Sequence, residues 1–188
     1  MPDPVSKSLP ALGFLASIEH PTHGAMGGYL ILNGAGRPLE FHCTAPVKAN
    51  RAQEILYGPT LGPYLYGEQI GQTLVNKAKI RPHSLLTDTP AMLAVRDFVD
   101  LPIAFVETAD ECADGREDDD FATPLLRSTF AGPTSRFELG ERHLHVLREH
   151  ADDQARLIAQ IAPLTDAIEL AEPFERIRDA VTEANRAA

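Results

Sequence analysis

The residues whose types could do chemistry sit in three places. Glu19, His20 and His23 follow the first apolar run, His42 and Cys43 close the third, and Asp88 closes a fourth. Imidazole, thiolate and carboxylate together would suit zinc or another transition metal, with His20, His23 and Cys43 as its ligands. Against this stands the period of a strand. His42 and Cys43 are neighbours, so they point to opposite faces and cannot both join one centre. The plainer assignment makes Cys43 a small core residue and the histidines exposed turn residues. A second chemistry uses carboxylates alone: Glu19 and Asp88, with Glu54 or Glu68, gathering a divalent cation for in-line attack on a phosphodiester.

Other motifs are weaker. The segment Tyr57-Gly58-Pro59-Thr60-Leu61-Gly62-Pro63-Tyr64 stiffens a loop that opens a helix, but it lacks the Gly-Lys-Ser/Thr of a phosphate loop and the GxGxxG of dinucleotide folds. Gly67 and Gly71 lie four apart in the expected helix, each costing about 1 kcal/mol relative to Ala. Close approach to another element would offset that. Tyr64 and Tyr66 beside them suit either packing or a contact patch. Asp110, Asp114 and Gly115 fit positions of a calcium loop, but Cys112 and Phe121 stand where ligands are needed. His143, His145 and His150 read as surface residues of a helix, and no Gly-x-Ser-x-Gly elbow occurs.

The elements that must position these groups follow from local periodicity. Residues 13–19, 28–33 and 38–44 are β-rich runs, the last two joined through Asn33-Gly34, a pair that supplies positive φ in tight hairpins. Residues 51–57 and 63–79 read as helices, the second with Pro63 in its first turn. Residues 83–88 form a buried strand, 90–99 a helix, and 102–107 an apolar strand suited to a covered sheet. In 141–161, Leu144, Leu147, Ala151, Ala155, Ile158 and Ile161 recur at helical spacing, and a last helix spans 173–185.

The expected class is therefore α/β, with a mixed sheet of about five strands in the order β-β-β-α-β-α-β and C-terminal helices. That order resembles the ribonuclease-H-like arrangement over residues 13–107; a profilin-like or longin-like sheet is the competing assignment. The resemblance implies acids on strand 1, on the first helix and at the end of strand 4. Here strand 1 offers Glu19 only at its end, and strand 4 offers Asp88. Three segments are expected: an α/β domain over 1–107, an acidic linker over 108–137, and a helical part over 138–188.

Net charge is −10, and residues 107–120 alone carry eight acids against one arginine, leaving the remainder mildly acidic. No block of Lys or Arg could track a phosphate backbone, so non-specific nucleic-acid binding is disfavoured. Residues 1–12 do not read as a secretory signal, no apolar run could span a membrane, and two cysteines make no disulfide framework, which together suggest a cytoplasmic protein. Two functions follow. The favoured one is a non-catalytic interaction protein that binds a protein partner or self-associates through Tyr64, Tyr66, Phe174, Ile177 and Val181. The alternative is a metal-dependent hydrolase, nuclease-like, using a divalent metal at the sheet edge that carries Glu19 and Asp88.

Overall fold

The computed structural model describes residues 10–20, 22–108 and 126–186. Most of the acid-rich stretch, with Cys112, lies outside these residues.

Strands β1 (Leu12–His20), β2 (Gly24–Leu32) and β3 (Pro38–Cys43) form an antiparallel meander. The second turn differs in detail from the Asn-Gly hairpin expected. Asn33 Oδ1 accepts the N–H groups of Ala35 and Arg37, both at 3.0 Å, and the positive φ falls on Gly36 instead. An Asn side chain that closes its own turn moves the left-handed residue downstream.

Helix α1 (Arg51–Tyr57) is closed at its start by Asn50 and Gln53, each bonding the other's backbone N–H. The next helix winds as π-turns over Pro63–Gln72 before tightening into α2 (Thr73–Lys77). Its glycines have the packing reason expected of them. A Cβ on Gly67 would lie 2.6 Å from Ala94 Cβ, so the helix can rest on the 3-10 segment Pro90–Asp97 only without a side chain there.

Strand β4 (Ser84–Thr87) lies parallel to β1, and β5 (Ile103–Val106) lies parallel to β4. Two further strands extend this sheet. β6 (Thr134–Leu139) and β7 (Arg142–Leu147) pair as a hairpin, and β7 runs antiparallel to β5, giving the order β3-β2-β1-β4-β5-β7-β6. The expected helix over 141–161 is thus corrected: its first part is β7, and only α3 (Asp153–Ile161) is helical. Within Arg-His-Leu-His-Val-Leu, residues 143–146 alternate polar and apolar, and pairing with β5 selects that period over the helical one.

Apolar layers cover both faces. One contains Phe14, Leu30, Leu86, Val106 and Leu144 under α3 and α4 (Glu172–Arg186); the other contains Leu15, Tyr29, Leu85 and Phe105 under the π-turn helix and the 3-10 segment. Helix α4 packs closely on β2, because a Cβ at Gly28 would stand 2.8 Å from Val181 Cγ2. Phe174, Ile177 and Val181 are 0%, 0% and 2% exposed. The apolar face expected to meet a partner is core of this chain.

Candidate functional site

The parallel strands β1, β4 and β5 all end at one edge of the sheet, and the polar residues of that edge form a connected set. Asp88 directly follows β4 and is 1% exposed. Its carboxylate accepts a hydrogen bond from Nη2 of Arg178 on α4, and Nη2 of Arg127 lies 3.8 Å away. The Thr89 hydroxyl donates to Asp88 Oδ1 at 3.2 Å and sits 2.9 Å from Ser17 Oγ on β1. Burial pushes the Asp88 carboxyl above the ordinary aspartate range, while the guanidiniums of Arg178 and then Arg127 pull against that rise.

Beside this lies Glu19, near the end of β1. It accepts the hydroxyl proton of Tyr66, which is fully buried in the π-turn helix. Burial raises the Tyr66 pKa, the bond to Glu19 raises it further, and Arg127 acts in the opposite direction. Arg127 therefore faces both Asp88 and the Tyr66–Glu19 pair. Its Nε is buried without a hydrogen-bond partner among the described residues. The segment carrying it is held in place where the Leu126 carbonyl packs against Gly62, a position with no room for a Cβ.

At the end of β5, Glu107 receives Nε and Nη2 of Arg136 at 2.8 and 2.9 Å, and lies 2.6 Å from His145 Nε2. Arg136 first and His145 after it hold the Glu107 carboxyl down at about 2. The His145 ring also lies tilted against Phe105 and Phe130, with centroids 5.6 Å from each, and its Nδ1 is 3.3 Å from Thr134 Oγ1. Reading His143 and His145 as helical surface residues missed this pairing; the alternation over 143–146 was the signal that could have shown it.

The other residues singled out from the sequence lie elsewhere. His20 and His23 stack on each other at 4.4 Å, and His20 Nδ1 accepts the N–H groups of Thr22 and His23, both at 3.3 Å. His42 pairs with Glu40 at 2.6 Å, and Cys43 is half-buried against the core under α4. Glu54 pairs with Arg51 at 3.0 Å. Tyr64 stacks on Tyr57 at 4.0 Å, while Tyr66 is buried within the chain.

Ribonuclease-H-like folds imply divalent ions held by carboxylates at this edge, and the donor set of this chain does not fit them. Glu19 is engaged by a hydroxyl, Asp88 by guanidiniums, and the β1 residue joined to the Asp88 network is Ser17. Among the described residues, the group whose ligand atoms do converge, within 4.8 Å of one another, is Asp97, Glu149 and His150. It forms a possible metal-binding group. Because β7 runs antiparallel to β5, Glu149 and His150 follow β7 at the opposite end of the sheet. His20, His23 and Cys43 form no such group.

No protein-family model matches the chain, and no curated protein does. Solved structures do. The catalytic domain of human Endonuclease V matches with a TM-score of 0.50 and 15% identity, over 96% of this chain and 84% of that one. A second structure of the human protein gives 0.45 and 15%, over 95% and 85%. Endonuclease V of Ciona intestinalis, solved with a 23mer DNA containing an inosine followed by a ribo-adenosine, gives 0.41 and 10%, over 81% and 78%. The first likeness bears out the mixed α/β fold and its ribonuclease-H-like order, with seven strands where about five were expected.

The expectation of a non-catalytic, partner-binding protein is corrected. Its apolar contact residues on α4 are buried in the chain's own core, and the structure that shares the fold at a TM-score of 0.50 is an endonuclease by name. No helix among the described residues is long and apolar enough to cross a membrane.

Proposed function

We propose that the chain is a nuclease-like hydrolase that binds a phosphodiester at the edge formed by the ends of β1 and β4. The observation that carries this reading is Arg127, whose guanidinium lies 3.8 Å from Asp88 and acts electrostatically on Tyr66, while its Nε is buried without a partner among the described residues. An unmatched buried donor on a permanent cation favours an anionic acceptor, and phosphate oxygens match the guanidinium fork. The name of the structural neighbour is the reason for choosing phosphodiesters among anions.

In this reading Asp88 fixes Arg178 and Arg127, and the two guanidiniums face the charge that grows on the phosphoryl oxygens. Glu19, oriented by the Tyr66 hydroxyl, takes the proton of the attacking water. The new P–O bond forms as the ester P–O bond breaks, and the leaving oxygen takes a proton from solvent.

The test is cleavage of end-labelled single-stranded DNA, duplex DNA and RNA by the full chain, each in magnesium, in manganese and with chelator. Cleavage by the wild type, about 10²–10³-fold slower in Arg127→Ala and at least about 10²-fold slower in Glu19→Gln, is expected. Failure to cleave any of these in all conditions, or equal cleavage by the Arg127 variant, overturns the proposal.

A further inference from the structure

At the opposite end of the sheet, where Pro82 leads into β4 and Leu101 into β5, the structure holds a cavity of about 450 Å³. Its apolar wall includes Ile80, Phe98 and Val99; Lys79 and Arg81 stand on it as cations, and Tyr29 lines it. Phe98 is 44% exposed. Tyr29 is fully buried, yet its hydroxyl has no hydrogen-bond partner among the described residues. Burial, with Glu40 nearby, raises the Tyr29 pKa, so the group remains a donor at any physiological pH.

The wall is built rather than incidental. Glu40 accepts the N–H of Lys79 at 2.9 Å and of Ile80 at 2.7 Å, tying the loop after α2 to β3. Those N–H groups and His42 hold the Glu40 carboxyl down at about 2, so the tie persists across the physiological range. The acid on the cavity wall, Asp100, is solvent-exposed, and Arg96, 3.9 Å from it, is held by the buried Asp153 at 2.7 Å, so Lys79 and Arg81 face one solvated carboxylate on this wall.

We infer that this cavity binds a small ring-bearing anion, with the ring against Ile80, Phe98 and Val99, the charged group on Lys79 and Arg81, and an acceptor atom on the Tyr29 hydroxyl. The volume falls within the roughly 300–1,000 Å³ usual for small-molecule sites. The lining is polar over most of its surface, with Ile80, Phe98 and Val99 as its apolar part. An aryl carboxylate and a nucleoside monophosphate share this chemistry. The inference does not rest on the hydrolase reading, since the two sites lie at opposite ends of the strands.

The test is isothermal titration of the full chain with phenylacetate and, separately, with adenosine 5′-monophosphate. Saturable binding of either with a Kd below about 1 mM is expected, and the probe that binds identifies the class. Tyr29→Phe should weaken it about 3–10-fold, the worth of one hydrogen bond. The same variant should be at least as stable as the wild type without ligand, because the deleted hydroxyl has no partner to lose. The Lys79→Ala/Arg81→Ala double variant, altered only at exposed side chains, should lose saturation. Binding of neither probe, or unchanged affinity in both variants, overturns the inference.

Discussion

Arg178 and Asp88 are ninety residues apart in the chain, yet the guanidinium of the last helix closes on the carboxylate at the end of a central strand. The pair joins the C-terminal helix to the edge where the parallel strands end. It also places a protein cation on the carboxylate that the fold would otherwise present.

Breaking that pair from the helix side leaves Asp88 buried with Arg127 at 3.8 Å and the Thr89 hydroxyl to oppose desolvation. Arg178→Ala should destabilise the fold by about 3–5 kcal/mol near neutral pH, read from urea unfolding. The sign of the pH dependence follows from the raised Asp88 pKa. In the variant the folded state holds its proton more tightly than the unfolded state, so the loss should shrink as pH falls towards the ordinary aspartate value. A loss that stays constant as pH is lowered from neutrality to the ordinary aspartate value, about 4, would contradict this.

Glu107 behaves in the opposite sense. Its folded pKa is lowered to about 2, so the Arg136 and His145 contacts stabilise the protein above the ordinary glutamate value, and that stability is lost as pH falls through the folded value. The cluster is partly solvated, so Glu107→Gln should cost about 1 kcal/mol at pH 7. The difference from the wild type should close at acid pH, as followed by thermal unfolding across a pH series.

Phe174 meets Phe14 edge-to-face at 5.6 Å beneath α4. Truncation to Ala removes a fully buried ring and should cost about 3–5 kcal/mol. Chemical denaturation checks this, and a cost below about 1 kcal/mol would mean that α4 does not anchor on the sheet.

A fourth expectation concerns Gly28, where β2 and α4 nearly touch. Gly28→Val must push back Ile177 and Val181, and overpacking of this kind costs about 1–3 kcal/mol. Retained wild-type stability would show that the helix can ride outward without loss.

Much of the fold is legible in local patterns. The meander, the Arg51–Tyr57 helix and the amphipathic last helix follow from spacing, capping and turn residues that act within a few positions. The candidate site was half legible. Glu19 and Asp88 stood out as acids at strand ends, but Arg178 on an amphipathic helix reads as solvated until its partner is known, and Arg127 falls in the stretch read as an acidic linker.

What the sequence by itself determined, then, is which segments are apolar on one side and where the chain turns, because backbone period and side-chain type act over a few residues. Tertiary structure alone decided that residues 142–147 extend the sheet instead of starting a helix, that Phe174, Ile177 and Val181 face the chain's own core, and that two guanidiniums meet Asp88. Each of those outcomes depends on surfaces distant in the chain competing for the same partner, and the competition is settled only when the whole core closes.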